Sequence, residues 1–171
     1  KQGYFFHLHI HGKKLAALRG LPGFDDALKE NNRLRAIAQE KTKPELDVRL
    51  PDSFEKSNKY PVLIVLHGYG RNNEKMKMWF RSNNIYSNYI LAFFQSSFIV
   101  GRDAYGWRVG EWSQRDIKTC FRQLSEKYPV DQSEIIISGM SAGAYAALDA
   151  VLNDIIPIKG FILNCPAVPS I

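Results

Sequence analysis

Four short apolar runs follow residue 60 of the chain. Each is about four to six residues long, is rich in β-branched and aromatic residues, and shows almost no alternation with polar positions. Strands that are buried on both faces of a parallel sheet have this pattern. A fifth segment, ELDVRL, alternates Leu46, Val48 and Leu50 with charged residues, which is typical of an edge strand with one solvated face. The four runs are PVLIVL at 61–66, YILAFF at 89–94, EIIIS at 134–138 and GFILN at 160–164.

Helical patterns separate these runs. Apolar residues recur at intervals of three and four between 114 and 128, with Ser113 placed to cap the helix, Asp116 three residues later and Pro129 after its end. Two more helices are indicated, one around 76–80 and one after Ser141. Strands that alternate with helices indicate βαβ crossovers, so we predict an α/β fold with a mostly parallel sheet and helices on both faces. The apolar positions are Ile117, Cys120, Phe121, Leu124 and Tyr128; Met76, Trp79 and Phe80; and Tyr145, Leu148, Val151 and Leu152.

The first 44 residues are charged and helical in pattern, with a loose apolar stripe closed by Pro44. We predict a helical appendage or linker at 1–44 and a sheet domain at 45–171. Within the appendage His7, His9 and His11 alternate, and three imidazoles on one face of a strand could bind a metal. No carboxylate or cysteine stands nearby and the region looks helical, so we favour an exposed polar stretch and predict no metal site.

Composition and charge argue against some classes of function. With 171 residues, 45% hydrophobic and 23% charged, the chain has the make-up of one soluble globular domain, with room for an appendage. The net charge of +6 comes from scattered Lys and Arg rather than a basic run, which argues against nucleic-acid binding. Cys120 and Cys165 are expected to be buried, unpaired thiols, which favours a reducing compartment such as the cytoplasm. No apolar stretch is long enough to span a bilayer.

The segment IIISGMSAGAYAAL at 135–148 carries the clearest chemical signal. A buried strand runs into Gly139, and a helix of small residues begins near Ala142. The pattern G-x-S-x-G in this context places a serine on a sharp strand-to-helix turn. We expect Gly139 and Gly143 to permit the tight reversal and Ser141 to project its hydroxyl as a nucleophile. The N–H groups at the start of the helix would stabilise a developing oxyanion.

A second, independent signal is LHGYG at 66–70, which ends the first buried run. Acyl transfer needs two hydrogen-bond donors aimed at the carbonyl oxygen as it gains charge. Hydrolases of this kind take one donor from the residue after the nucleophile and the other from the loop after an early strand. These would be the backbone N–H groups of Ala142 and Tyr69. Each such donor is worth about 3 kcal/mol in the transition state.

Together these stretches resemble the α/β-hydrolase superfamily from about residue 45 to residue 171. Within it the chain is most similar to phospholipase/carboxylesterase and dienelactone-hydrolase-like esterases. LHGYG, FFQSS at 93–97, DAYGW at 103–107, YPVD at 128–131 and the serine turn occur in matching order. The resemblance implies hydrolysis of small carboxylic esters or thioesters through an acyl-enzyme on Ser141, without metal or cofactor.

The resemblance also assigns supporting roles. His67 and Gly68 would shape the oxyanion turn, and Gln95 and Trp107 would line the pocket. We expect Met76, Met78 and Trp79 to be helix core rather than a substrate groove. In residues 1–44, LRGLPGFDDAL at 18–28 and KPEL at 43–46 are similar to linkers that follow tetratricopeptide-like helices, which implies a protein partner for the N-terminal helices.

One element of the family pattern is missing. The family order is nucleophile, acid, histidine, yet no histidine follows Ser141, and Asp149 and Asp154 come too early to be the acid. We therefore expect the chain to be truncated after the strand that follows the nucleophile helix, with acid and histidine encoded downstream. Loss of the triad histidine costs on the order of 10⁶ in kcat, so the chain alone would be nearly inactive. The alternative is a noncatalytic hydrolase-like binding or scaffold protein with a helical interaction arm.

Overall fold

The apolar runs form the strands of one sheet, and the segments between them form its helices. The computed structural model describes residues 4–8, 15–80 and 82–166. In chain order the elements are a short 3₁₀ helix (Ala16–Leu18), α1 (Phe24–Lys41), β1 (Glu45–Arg49), β2 (Tyr60–Leu66), α2 (Asn73–Trp79), α3 (Asn83–Asn88), β3 (Ile90–Gln95), β4 (Phe98–Gly101), β5 (Ala104–Gly106), α4 (Glu111–Lys127), β6 (Val130–Met140), α5 (Ala142–Leu152) and β7 (Gly160–Asn164).

The main sheet has five strands in the order β1-β3-β2-β6-β7. β2, β3, β6 and β7 run parallel, and β1 pairs antiparallel with β3 at one edge. Leu66 pairs with Phe94 on one side and with Gly139 on the other, so three strands end at the same edge of the sheet. This register brings the segments after β2, β3 and β6 together. The predicted fold class, a mostly parallel sheet with helices on both faces, is confirmed.

The two faces of the sheet bury different residues of the same runs, because successive side chains of a strand point to opposite faces. Ile64 and Phe94 pack with Ile117 of α4 and with three alanines of α5. Leu63 and Val65 pack on the other face with Met76 of α2. Both faces of the central strands are therefore covered, which explains why their sequences are continuously apolar.

The segment before β1 lies against a two-stranded hairpin of β4 and β5. Phe6 forms a bridge with Gly101. The Gln39 side chain of α1 accepts from the Ile99 N–H (3.1 Å) and donates to the Ser97 carbonyl (2.6 Å). The helical character expected of 1–44 is present at Ala16–Leu18 and in α1; the division into domains at residue 45 stays a prediction.

Several local expectations are wrong. Gly110, not Ser113, is the N-cap of α4; Ser113 lies inside the helix, where its hydroxyl donates to the Arg108 carbonyl. Met76 is buried, but Met78 and Trp79 are exposed, because only one side of the short helix α2 faces the sheet. Cys120 is buried in α4, and burial raises its thiol pKa to about 12, whereas Cys165 is exposed after β7.

Helix α5 also buries a different face from the one predicted. Its interior side consists of small residues, while Leu152 is 72% exposed. Small side chains allow the helix backbone to lie close to the strands on which it packs. The fully covered residues are Ala144, Ala146, Ala147 and Ala150. None of the helices within the described residues has both the length and the apolar character that crossing a bilayer would require.

Candidate active site

Ser141 occupies the bend between β6 and α5. Its backbone has φ 53° and ψ −117°, a combination that non-glycine residues rarely adopt. The Ser141 N–H donates to the Asn164 carbonyl of β7 (2.9 Å), which fixes the bend to the next strand. The residue is partly exposed. Backbone strain of this kind costs about 1–3 kcal/mol and clusters at functional sites.

The glycines on either side of Ser141 mark close backbone contacts. A Cβ on Gly139 would lie 2.3 Å from the Gly143 carbonyl oxygen. A Cβ on Gly143 would lie 2.4 Å from the His67 carbonyl oxygen. Neither distance leaves room for a side chain. The G-x-S-x-G spacing is therefore set by the packing of α5 against the ends of β6 and β2.

The turn after β2 lies directly beside the serine. A Cβ built on Gly68 would be 3.8 Å from Ser141 Cβ and 3.4 Å from the Met140 carbonyl oxygen. Ala142 is the first residue of α5, so its N–H has no partner within the helix. The Tyr69 N–H has no acceptor among the described residues. The structure thus brings the two predicted oxyanion donors to the neighbourhood of Ser141; their catalytic role stays a proposal.

His67 is completely buried behind this turn. The Ser96 N–H donates to Nε2 of His67 (3.3 Å), so the ring proton must lie on Nδ1, from which it is donated to the Gly68 carbonyl (2.8 Å). Burial lowers the pKa of His67 from 6.5 to about 4. A neutral ring with both nitrogens engaged suits a residue that shapes the turn, and it offers no lone pair to the Ser141 hydroxyl.

The other described histidine, His7, is half-buried rather than exposed as predicted. Its Nδ1 lies 3.0 Å from the hydroxyl of Tyr69, and its ring meets Phe98 edge-on at 5.1 Å. His9 and His11 lie outside the described residues. No group of three or more potential metal ligands (His, Cys, Asp or Glu) occurs in the ranges 4–8, 15–80 and 82–166.

Gln95 and Trp107, the predicted pocket residues, are both buried. Oε1 of Gln95 accepts from the Asn73 N–H at the start of α2 (3.2 Å). Trp107 packs against the His67 ring at 5.3 Å between centroids. Both side chains support the elements that carry the turn, and a pocket role for either stays a prediction.

The sequence reasoning missed a buried polar cluster behind His67, formed by Ser96, Ser97, Asp116 and Trp112. Asp116 has no exposed surface and accepts hydrogen bonds from both serines. Burial raises the pKa of the Asp116 carboxyl, and the hydrogen bonds from Ser97 and Ser96 and the charge of Arg115 oppose that effect. The sequence signal is an acidic residue at an apolar position of the α4 pattern, whereas from the sequence we interpret Asp116 as part of a helix cap.

Comparison with known proteins agrees with this fold. Neither the family models nor the curated proteins give a match. A crystal structure of an uncharacterized protein from Bacillus cereus ATCC 10987 superposes with a TM-score of 0.58 at 23% identity, covering 96% of this chain and 51% of that one. The Bacillus cereus carboxylesterase gives a TM-score of 0.57 at 18% identity, covering 80% of this chain and 66% of that one.

A thermostable esterase is also similar, with a TM-score of 0.52 at 17% identity over 70% of this chain and 36% of that one. The chain therefore spans about half to two-thirds of the length of the first two structures. At these identities the likeness shows the fold alone: the chain shares with these structures an α/β architecture built on a mostly parallel sheet.

Proposed function

We propose that this chain is the nucleophile-bearing part of a serine hydrolase that cleaves small carboxylic esters, with thioesters as a related substrate class. One observation carries the proposal: Ser141 stands at φ 53° on a tight bend, with the turn at Gly68 directly against it. A serine held in a rare backbone conformation beside two N–H groups that have no acceptor within residues 4–8, 15–80 and 82–166 has the nucleophile and the oxyanion donors that acyl transfer requires.

In this mechanism the Ser141 hydroxyl attacks the acyl carbonyl. The Tyr69 and Ala142 N–H groups donate to the oxygen as it becomes negative, and the amino end of α5 adds a favourable partial charge. The alcohol or thiol leaves, and water hydrolyses the acyl-enzyme on Ser141. The chain itself supplies the nucleophile and the oxyanion donors, and no metal or cofactor enters the scheme.

The general base and its acid partner are assigned to polypeptide downstream of Ile171. His67 is excluded as the base because both of its nitrogens are engaged, and His7 is bonded to Tyr69. The Bacillus cereus ATCC 10987 structure, of which this chain covers 51%, is compatible with that assignment. Two neighbours are named as a carboxylesterase and an esterase, and these names favour an ester as the substrate.

Two further parts of the proposal concern location and partners. The cysteines Cys120 and Cys165 are unpaired, which favours a reducing compartment, the cytoplasm. We assign the exposed side of α1, which includes Ile37, as the surface that binds a protein partner.

The proposal is tested with a fluorophosphonate probe on full-length protein that includes the downstream segment. We expect covalent labelling that is lost in Ser141→Ala and kept in the matched control Ser57→Ala, which removes an exposed loop hydroxyl. Labelling that persists in Ser141→Ala would remove this serine from the mechanism.

A noncatalytic binding or scaffold protein is the second candidate, and it is favoured by the engagement of both His67 nitrogens. The coding sequence after Ile171 separates the two. An open frame that encodes an aspartate and then a histidine supports the hydrolase. A stop codon in intact sequence, together with an unlabelled Ser141, supports the scaffold.

A further inference from the structure

We propose that Asp116 is a positioning residue for the oxyanion hole. Its buried carboxylate holds the serine pair between β3 and β4, Ser96 and Ser97, and this pair orients the Gly68–Tyr69 peptide through His67. The catalytic consequence rests on the function proposed above. The structural relay from Asp116 to the turn can be measured without it.

The first step of the relay consists of the hydrogen bonds that the Asp116 carboxylate accepts. Asp116 accepts from the Ser97 N–H (2.7 Å), from the Ser97 hydroxyl (2.8 Å) and from the Ser96 hydroxyl (3.2 Å). Every one of these partners is able to donate, so the ionised carboxylate satisfies them all as an acceptor. The Arg115 guanidinium lies 3.7 Å away and adds a partly solvated positive charge.

The second step is the direction of the serine hydroxyls. The Trp112 indole N–H donates to Oγ of Ser97 (2.8 Å), and the Phe98 N–H donates to Oγ of Ser96 (3.0 Å). Each hydroxyl oxygen is thereby used as an acceptor, and its proton is left for Asp116. The segment between β3 and β4 is consequently held in one arrangement by bonds that all have a fixed direction.

The third step connects this segment to the turn. The Ser96 N–H donates to Nε2 of His67, which forces the ring proton onto Nδ1. Nδ1 then donates to the Gly68 carbonyl, which also accepts from the Arg71 N–H (3.2 Å). The Gly68 carbonyl and the Tyr69 N–H belong to one planar trans peptide and point in opposite directions. Holding the carbonyl towards the imidazole therefore turns the Tyr69 N–H away from it.

A purely structural role explains this cluster less well. A buried carboxylate is expensive to desolvate, and apolar residues of similar volume in such a place often stabilise a fold as well or better. What an apolar residue could not do is fix the serine pair, the His67 tautomer and the peptide plane together. We therefore assign Asp116 to the orientation of the turn beside Ser141.

The experiment uses full-length protein labelled with ¹⁵N-histidine, and its main variant is Asp116→Asn, which keeps the shape of the side chain. Wild type should show His67 as a single Nδ1–H tautomer. Oδ2 of Asp116 accepts from both serine hydroxyls and from the Ser97 N–H, whereas the asparagine amide is uncharged and its NH₂ group would replace Oδ1, which accepts from the Ser97 hydroxyl (3.1 Å). The serine pair should therefore shift, weaken the bond from the Ser96 N–H to Nε2 of His67 and change the ¹⁵N chemical shift of Nε2. Asp131→Asn, which changes a partly exposed carboxylate at the far end of β6, is the matched control and should leave the Nε2 chemical shift unchanged.

Kinetics of an ester substrate on the same samples provide the second readout. Loss of a whole oxyanion donor costs about 10²–10³ in kcat, so misorientation of one donor should lower kcat about 10-fold with KM changed less than about 2-fold. If Asp116→Asn does not fold, Ser97→Ala supplies both measurements, because it removes one hydroxyl that Asp116 holds.

The outcomes separate the two proposals. An unchanged Nε2 chemical shift in a folded variant overturns the relay, even where Ser141 is labelled by the probe. A changed Nε2 chemical shift in a protein whose Ser141 is never labelled keeps the relay and overturns the hydrolase. A changed Nε2 chemical shift with kcat and KM both unchanged overturns the assignment of Asp116 to the oxyanion hole.

Discussion

At the scale of single residues, the two glycines beside Ser141 are required by space rather than by flexibility. We predict that Gly139→Ala and Gly143→Ala each destabilise the fold by more than about 3 kcal/mol or prevent folding, since the added methyl group would overlap main-chain atoms. The free energy of unfolding, measured by urea denaturation, tests this expectation.

Gly160→Ala is the matched control for these variants. A Cβ at Gly160 would meet nothing closer than a side-chain atom of Ile136 at 3.9 Å, which is an ordinary contact. This variant should change the free energy of unfolding by less than about 1 kcal/mol. Equal effects at Gly139 and Gly160 would contradict the close approach of α5 to the strand ends.

His67 gives the fold a pH dependence of known sign. Burial lowers the pKa of His67 from 6.5 to about 4, so between these values the unfolded chain binds a proton that the folded chain does not. The stabilisation from neutral His67 is complete above about pH 6.5 and is lost as the pH falls towards 4. The loss amounts to about 3 kcal/mol.

Urea denaturation at several pH values between 7 and 4 measures this effect. Wild type is compared with His67→Gln, so that the contribution of His67 is separated from the pH dependence of the rest of the protein. The variant should have a lower free energy of unfolding at pH 7 but a shallower decline on acidification. Parallel curves for the two proteins would show that His67 is not buried in the neutral form.

At the scale of elements, hydrogen bonds of the Gln39 side chain hold α1 against β4. Its amide bonds to the Ile99 N–H and the Ser97 carbonyl, and Arg35 of the same helix donates to the Ile99 carbonyl (3.1 Å). We predict that Gln39→Ala lowers the free energy of unfolding by about 1–3 kcal/mol, because two main-chain groups lose their partner. Hydrogen exchange should become faster in β4 as well as in α1.

Glu40→Ala is the control on the same helix, since Glu40 is exposed. It should change neither the stability nor the exchange of β4. Should Gln39→Ala behave like Glu40→Ala, α1 would be an independent appendage, as the sequence suggested. A coupled loss of protection would instead make α1 part of the unit that carries the candidate site.

Strands β2 and β3 could be predicted because burial on both faces requires a continuously apolar sequence. The bounds expected for β7, 160–164, coincide with those of the strand, but its expected burial on both faces is wrong, since Phe161 and Ile162 are more than half exposed. The alternating run at 45–50 is the edge strand β1. Helix α5 was found but its buried face was not, since alanine contributes little to an apolar pattern. β4 and β5 are too short, at four and three residues, to show any period.

Some residues of the candidate site could likewise be predicted from the sequence, and others could not. The serine turn and the HGYG turn are local features, so their residues could be named from short motifs that resemble those of the α/β-hydrolase superfamily. The cluster around Asp116 could not, because it joins α4 to Ser96 and Ser97 across about 20 residues of sequence. Only folding brings the Asp116 carboxylate on α4 next to the end of β3. Gln95 was expected to face a ligand, whereas its partner in the structure is the start of α2.

At the scale of the whole molecule, the sheet is unevenly covered. Central strands β2 and β3 are enclosed by helices, but β7 has no strand neighbour on its outer side among the described residues. Phe161 and Ile162 of β7 are 52% and 55% exposed, and they point to opposite faces of the sheet. An apolar strand with an unpaired edge is a template for association with another chain.

We therefore predict that the 171-residue chain self-associates through β7 at concentrations of about 100 µM. Ile162→Lys should shift sedimentation or sizing chromatography towards monomer, because a charge on an edge strand opposes pairing. Leu21→Lys, at a comparably exposed site (54%) in the loop before α1, should leave the association unchanged. A wild-type chain that stays monomeric at this concentration would mean that the β7 edge is covered within the molecule. If both lysine variants reduce self-association equally, the association is caused by general surface hydrophobicity and not by the β7 edge.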